Sequence, residues 1–152
     1  MRWFLSLLVG FAATGAAFIT RGARVPATRR EAKPAADDVD EGEFEKALAA
    51  MTSFSNRYVK LSKTKYCAEP SVTSVVIRGL AEHKVALGAP LCPCRFYECK
   101  ESEAKDGYWN CPCVPMRERK ECHCMLFLTD DNDFVGESTD ITVDEITALT
   151  AM

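Results

Sequence analysis

The sequence predicts a mainly α fold, a small helical domain with long cysteine-rich loops. Two stretches repeat apolar residues at intervals of three and four, which is the spacing of one buried face of an α-helix. In contrast, five Pro or Gly residues interrupt the segment 90–124, which has little periodicity. Seven of the eight cysteines fall in that segment, and none precedes Cys67. Because a loop this long inside a compact domain usually needs another organising element, we expect the cysteines to organise it.

The first 40 residues have the composition of a targeting leader. Residues 1–17 combine a basic start, an apolar stretch and small residues at the end, as secretory signals do. Residues 18–40 carry five Lys or Arg against one acid before residue 37, which is typical of an organelle transit peptide. This two-part order resembles the leaders that carry proteins into plastids of secondary origin. We therefore expect a location in the plastid stroma and a mature domain that spans residues 41–152.

Hydropathy and charge argue against two classes of partner. The apolar stretch of the leader is short for a membrane-spanning helix, which needs roughly 20 apolar residues. A single-pass anchor is the alternative, but we expect no membrane contact in the mature chain. The formal net charge of -3 argues against nucleic acid, because domains that bind it are usually basic.

The first helix is predicted from about residue 43 to residue 62. Its apolar residues return at every third or fourth position and form a stripe that we assign to the core. The stripe consists of Phe44, Leu48, Met51, Phe54 (or Ser55), Tyr58 and Leu61.

The second helix is predicted from residue 72 to about residue 87. Pro70 precedes it, Ser71 is placed to cap its first amides, and Gly88 suits the left-handed conformation that closes a helix. Its predicted buried face consists of Val75, Val76, Leu80 and Leu87. We assign His83, near that face, to packing or to solvent and not to a ligand role.

Three features follow the cysteine-rich loop. Residues 125–128 form an apolar run that we expect to be buried. Residues 130–133 are Asp-Asp-Asn-Asp, which predicts a turn. Thr142 and Glu145 then have the spacing of a capping box and predict a short C-terminal helix.

Six of the cysteines form three Cys-x-Cys units, separated by sixteen and then by eight residues. The units are Cys92-Pro93-Cys94, Cys111-Pro112-Cys113 and Cys122-His123-Cys124. The two prolines restrict the backbone φ between their flanking cysteines, so neighbouring thiols keep a rigid relation. Such rigidity suits a site that must not rearrange when its charge changes.

Three interpretations of these units compete. A disulfide scaffold is typical of small secreted domains, but this domain exceeds about 100 residues and has helices that can form a core. A zinc site would use four thiolates, although the usual spacing there is Cys-x2–4-Cys. A [4Fe–4S] cluster would use four thiolates and leave two for redox chemistry. The spacing alone leaves all three open.

The complete pattern resembles the signature of the ferredoxin:thioredoxin reductase catalytic chain. Every cysteine of the three units, both prolines and the histidine fit that signature. Other matching stretches are Ser71-Val72-Thr73, Val75-Val76-Ile77, Gly88-Ala89-Pro90-Leu91, Trp109-Asn110 and residues 114–121. The likeness covers roughly residues 43–150, and a motif of this length is far more specific than a single Cys-x-x-Cys.

The resemblance implies a division of the cysteines, with the loops wrapped around a [4Fe–4S] cluster. The implied cluster ligands are Cys92, Cys111, Cys113 and Cys122. Cys94 and Cys124 match the redox disulfide, in which Cys94 attacks thioredoxin and Cys124 resolves the mixed disulfide beside the cluster. His123 is implied as a proton donor or charge partner of that pair, since histidine titrates near neutral pH. Cys67 is expected to be a small buried residue and Cys99 an exposed one, and neither receives a role.

The resemblance also implies partners. Ferredoxin would donate electrons, thioredoxin would accept them on the opposite face, and a variable alpha subunit would complete a heterodimer. Arg117, Arg119 and Lys120 precede Cys122 and offer a docking place for an acidic ferredoxin, with an ordinary solvated loop as the alternative. Two rival functions remain at this stage, which are a zinc-binding interaction module and a ferredoxin-dependent reductase of another disulfide protein.

Overall fold

The computed structural model describes residues 40–151 of the 152-residue chain. The predicted leader, with its parts at residues 1–17 and 18–40, lies outside the described residues apart from Asp40. Its cleavage and the start of the mature domain at residue 41 therefore stay predictions.

The described residues contain five helices, joined by loops, and no sheet, so the predicted mainly α fold is confirmed. The helices are α1 (Glu41–Ser62), α2 (Pro70–Leu87), α3 (Lys100–Asp106), α4 (Val114–Arg119) and α5 (Val143–Thr150). None of these five helices combines the length and the apolar character that crossing a bilayer requires. The two shortest, α3 and α4, interrupt the cysteine-rich loop as short helical turns.

Helix α2 lies at the centre of the fold and packs against both α1 and α5. Its inner face buries Val76, Ile77, Leu80, Ala81 and Val85. Leu48, Met51 and Val59 of α1 and Ile146 of α5 close the core from the two sides. Burial of these apolar side chains is the main stabilising contribution, at about 25 cal/mol per Å² removed from water.

The ends of α1 agree with the prediction to within two residues. Glu41 and Glu43 lie in its first turn, where negative charge favours the positive end of the helix dipole. Lys63 closes the helix in the left-handed conformation, with φ of 55°.

Helix α2 ends as predicted and begins differently. Gly88 adopts a φ of 77° and donates its N–H to the carbonyl of Lys84, which is the predicted closure. The predicted Ser71 cap is wrong, because Ser71 lies inside the helix and its hydroxyl donates to the Glu69 carboxylate instead of accepting from the first amides. Pro70 takes the first helical position, where its missing N–H leaves nothing unsatisfied.

Two residues predicted to be buried are exposed. Leu61 is 74% exposed and Val75 is 59% exposed, whereas Val59 and Ile77 are fully buried. Intervals of three and four only approximate the 3.6-residue period, so a stripe extended along a helix drifts off the buried face. In α2 the face is also broad, because α1 and α5 cover it from two sides.

The region after the loop follows the prediction. Of the run predicted to be buried, Leu126, Phe127 and Leu128 are buried, whereas Met125 is half-buried. The backbone of Leu128 pairs with that of Lys65. Residues 129–135 form the predicted turn. The capping box is also confirmed, since the side chain of each partner, Thr142 and Glu145, accepts a hydrogen bond from the other's backbone N–H.

Helix α2 approaches the first cysteine unit at Gly79. A Cβ at this position would lie 2.7 Å from Cβ and 3.0 Å from Cγ of Pro93, which is closer than two such carbons approach. Glycine inside a helix costs about 0.5–1 kcal/mol relative to alanine, so its presence here needs a packing reason. That reason is the close contact that seats Pro93, and with it Cys92 and Cys94, against the helix.

We expect Gly79→Ala to lower the free energy of unfolding by about 1–3 kcal/mol, because Pro93 must shift to admit the methyl group. Gly42→Ala in α1 is the matched control, since a Cβ there meets only the Asp40 carboxylate oxygen, at 3.7 Å. We expect that control to be neutral or stabilising by up to about 1 kcal/mol. Urea unfolding of both variants measures the difference, and equal stability of Gly79→Ala and wild type would contradict the packing argument.

Candidate functional site

A short antiparallel bridge brings the first and second cysteine units together. Leu91 pairs with Asn110. The N–H of Cys92 donates to the carbonyl of Trp109 at 3.0 Å, and the N–H of Cys111 donates to that of Pro90 at 2.8 Å. The sixteen residues between the two units therefore form a loop that contains α3. The backbone pairing at the base of this loop places the first and second units side by side.

Helix α4 connects the second unit to the third. Cys113 is the residue just before the helix, and Lys120 ends it in the left-handed conformation, with φ of 61°. The chain then turns back, and a hydrogen bond of 3.1 Å from the N–H of Met125 to the carbonyl of Cys122 closes the next turn. A six-residue helix thus returns the third unit to the first two.

The three units line one cavity of about 790 Å³. Five of their six cysteines contribute, namely Cys92, Cys111, Cys113, Cys122 and Cys124. The apolar wall consists of Val76, Leu80, Met116, Leu126 and Phe127. All four predicted ligand cysteines are therefore placed around one space that the hydrophobic core encloses from behind.

The protein alone disfavours the ionised form of two thiols at this cavity, Cys111 and Cys122. Burial raises the pKa of Cys111 well above its ordinary value, and thiolate charge on Cys122 and Cys92 would raise it further. Burial also raises the pKa of Cys122, although the backbone N–H groups of Phe127, Leu126 and Cys124 bond to its sulfur and lower it in part. Cysteines bind metals as thiolates, so a cation in the cavity would supply the compensation that the protein lacks.

The donor set therefore fits an iron–sulfur centre. Thiolates are the soft ligands that such centres use, and hydrogen bonds to the sulfurs are a usual means of tuning them. Within residues 40–151, no three His, Cys, Asp or Glu side chains are placed together as ligands of a metal ion. A centre with several irons does not need such a group, because its irons take their protein thiolates from separate positions.

The two remaining unit cysteines differ in exposure. Cys94 is exposed, whereas Cys124 is buried at 8% exposure. Hydrogen bonds with Cys124 and Cys92 lower the pKa of Cys94 to about 4. Hydrogen bonds with Cys92 and Cys94 raise the pKa of the Cys124 thiol. The sulfurs of Cys92 and Cys124 lie 2.6 Å apart, and all eight cysteines are free thiols. The structure thus gathers Cys92, Cys94 and Cys124, while the predicted Cys94–Cys124 disulfide stays a prediction.

The other residues singled out in the sequence have simpler surroundings. His123 is exposed and lines the rim of the cavity. His83 is half-buried and bonds through Nδ1 to the carbonyl of Leu91 at 2.7 Å, which agrees with its assignment to packing. Cys67 is buried and Cys99 is exposed, as expected.

The predicted basic cluster is largely engaged within the protein. Arg119 pairs with Glu121 at 2.8 Å, and the ammonium of Lys120 donates to the carbonyl of Ser62 at 2.6 Å. Arg117 is exposed and forms no ion pair among residues 40–151, so it is the member of the cluster whose charge is most available to a partner.

Two contacts at the site are not predicted by the sequence. The guanidinium of Arg95 lies over the ring of Trp109, 3.6 Å from its centroid. The hydroxyl of Tyr97 donates to the carbonyl of Cys92 at 2.9 Å. Both residues come from the loop after Cys94, and neither has a spacing that could have indicated its partner.

Comparisons with known proteins agree with this geometry. A family profile described as "Ferredoxin thioredoxin reductase catalytic beta chain" matches residues 41–149. The chain is 62% identical over 109 residues to the ferredoxin-thioredoxin reductase catalytic chain of Synechocystis, covering 70% of this chain and 92% of the relative. Two chloroplastic catalytic chains of Spinacia oleracea are similar too. One is 61% identical over 107 residues (70% of this chain, 74% of the relative), and the other is 51% identical over 141 residues (92% and 95%).

Proposed function

The chain belongs to the family of ferredoxin-thioredoxin reductase catalytic beta chains, and we propose that four of its cysteines hold a [4Fe–4S] cluster beside a redox-active cysteine pair. It is an oxidoreductase that reduces a protein disulfide, that of thioredoxin, with ferredoxin as electron donor. The proposed ligands are Cys92, Cys111, Cys113 and Cys122, one thiolate for each iron. The observation that carries the proposal is the cavity, which these four thiols line together with Cys124 and without Cys94. The family resemblance assigns Cys124 to the redox pair.

Exposure assigns the roles of the two redox cysteines in this proposal. Cys94 is exposed and is the thiol that a protein disulfide can reach, whereas Cys124 is buried and can act only within the site. The thiolate of Cys94 attacks one sulfur of the thioredoxin disulfide, and the other sulfur leaves as a thiolate and takes a proton. Cys124 then attacks the sulfur of Cys94, forms the Cys94–Cys124 disulfide and releases thioredoxin as a dithiol.

The enzyme must reopen its own disulfide with two electrons and two protons, although ferredoxin delivers one electron at a time. A [4Fe–4S] cluster, when bound, supplies one-electron storage beside the pair. The adjacent Cys92 and Cys124 sulfurs, 2.6 Å apart, are the contact between the proposed ligand set and the pair. His123, between Cys122 and Cys124 on the rim, is the proposed proton donor.

The energetics favour the proposed direction. A plant-type ferredoxin near −400 mV and a thioredoxin near −270 mV differ by about 130 mV. For two electrons this corresponds to about 6 kcal/mol, so the transfer runs downhill.

Metal analysis tests the cluster. Protein purified without air should contain about four irons and four labile sulfides per chain, absorb broadly in the visible range and reduce thioredoxin with reduced ferredoxin. A colourless protein with one zinc and no thiol turnover would support the rival interaction module. An iron-containing enzyme that reduces another small disulfide protein but not thioredoxin would support the other rival.

Ferredoxin is proposed to dock on the side of Arg117, since α4, which carries this charge, lies between two proposed ligand cysteines. We expect Arg117→Gln to raise the KM for ferredoxin about 2–5-fold at low ionic strength, with a smaller effect at high salt. Lys105→Gln on α3 is the matched control and should leave that KM unchanged. Steady-state kinetics with varied ferredoxin measures both, and an effect independent of salt would contradict an electrostatic contact.

Two further parts of the proposal concern the assembled protein. A variable alpha subunit completes a heterodimer, which co-purification from the source organism would test. Residues 1–40 are removed on the way to the plastid stroma, and N-terminal sequencing of the mature protein would test that step. A mature chain that still begins at Met1 would contradict it.

A further inference from the structure

Phe96 is an apolar side chain held out beside the reactive thiol. It is 92% exposed, more than any other large apolar side chain of residues 40–151 that faces solvent. It follows Cys94 by two residues, so the two Cα atoms lie within about 7 Å of each other. A single exposed apolar residue needs no explanation by itself, but this one lies where a protein disulfide must approach.

The residues on either side of Phe96 are tied back toward the cysteine units. The Arg95 guanidinium stacks on the Trp109 ring, and the Tyr97 hydroxyl bonds to the carbonyl of Cys92. Because both neighbours are anchored, the backbone that presents Phe96 is ordered before any partner arrives. Ordering in advance lowers the entropic cost of binding.

The loop that carries Phe96 has no net charge that would attract an acidic or a basic partner. Residues 94–101 contain two basic and two acidic side chains, so they carry no net charge. The segment that holds Arg117, residues 117–121, has three basic and two acidic side chains. An acidic partner is therefore favoured on the α4 side, whereas the Phe96 loop offers apolar contact.

We propose that Phe96 is the docking anchor for the disulfide-bearing acceptor protein, which is thioredoxin in the proposed function on which this inference rests. Its ring is buried against an apolar patch beside the acceptor's disulfide and brings that disulfide to Cys94. Aromatic side chains at the centre of an interface contribute most of the binding energy in many complexes. Anchor and nucleophile share one short loop, so docking also sets the approach of the two reacting sulfurs.

The test compares Phe96→Ala with wild-type holoenzyme, using thioredoxin as acceptor and reduced ferredoxin as donor. We expect the KM for thioredoxin to rise about tenfold or more, with kcat within about twofold, because an exposed side chain is removed and the site is intact. Phe96→Leu, which keeps an apolar contact, should recover most of the loss. Phe134→Ala removes another exposed phenylalanine, 58% exposed and outside the cavity lining, and should change nothing.

A small probe separates docking from thiol chemistry. The rate at which iodoacetamide alkylates Cys94 in the reduced holoenzyme, followed by mass spectrometry, should be the same in Phe96→Ala and wild type. An unchanged KM for thioredoxin, a parallel fall in alkylation, or an equal effect of Phe134→Ala would each overturn the anchor role. If wild type itself fails to reduce thioredoxin, the proposed function has failed and the anchor inference falls with it.

Discussion

Cys94→Ser is expected to abolish thioredoxin reduction while the iron content stays at its wild-type value. The thiolate is the nucleophile in disulfide exchange, and a serine hydroxyl does not replace it. Loss of a catalytic nucleophile typically costs on the order of 10⁴–10⁶ in rate, so turnover should fall below detection. Cys124 keeps its thiol in this variant, but it is buried at 8% exposure and does not reach a protein disulfide. Ferredoxin-dependent thioredoxin reduction and iron analysis on the same sample measure the two properties.

Cys99→Ser is the matched control for that experiment. Cys99 is an exposed cysteine of the same loop that belongs to none of the three units. Its sulfur lies 3.5 Å from the Glu101 carboxylate. It should retain both full iron content and full activity. If Cys94→Ser retained full activity, or lost its iron together with its activity, the separation of Cys94 from the ligand set would be wrong.

The sequence predicts the helices well because their signals are local. Periodicity places α1 and α2 within two residues of their observed ends, and the Thr142–Glu145 box places the start of α5. The errors arise where contacts with a neighbouring helix determine which residues are buried. Val75 is exposed because α1 and α5 bury the face that includes Ile77, and neither neighbour can be deduced from the repeat within α2.

The site likewise has features that the sequence predicts and features that depend on contacts in the fold. The spacing of the three units and their likeness to one family identify the six cysteines, and five of them line one cavity. The contacts that shape the loop after Cys94 depend on residues distant in the chain, such as Trp109 under Arg95. Exposure of Cys94 and Phe96, which supports both proposals about the acceptor side, likewise has no signature in the sequence.

Cys67→Ala is the control for replacing a proposed ligand cysteine, because it removes a buried thiol that is not a proposed ligand. Cys67 is buried at 6% exposure and lies outside the cavity lining. Removing its sulfur deletes a small apolar group, for which we expect a loss of about 1 kcal/mol of stability and no loss of iron. Any larger effect at a ligand position then reports on the metal and not on burial of a thiol.

Cys111→Ser is expected to lose the cluster and the order of the loops around it. A serine oxygen is a poorer ligand for iron than a soft thiolate, and position 111 is held against Pro90 by a 2.8 Å backbone hydrogen bond, so no other group can take its place. Structural zinc contributes about 10–16 kcal/mol in zinc-finger peptides, as much as the whole stability of a typical domain. If a cluster contributes on that scale here, the cavity should not survive without it. Helices α1 and α5 pack directly against α2, in addition to the contacts that the helices make with the cysteine units. Far-UV circular dichroism should therefore retain helix while protease cleaves residues 90–124. A Cys111→Ser protein with four irons and protease-resistant loops would remove Cys111 from the ligand set.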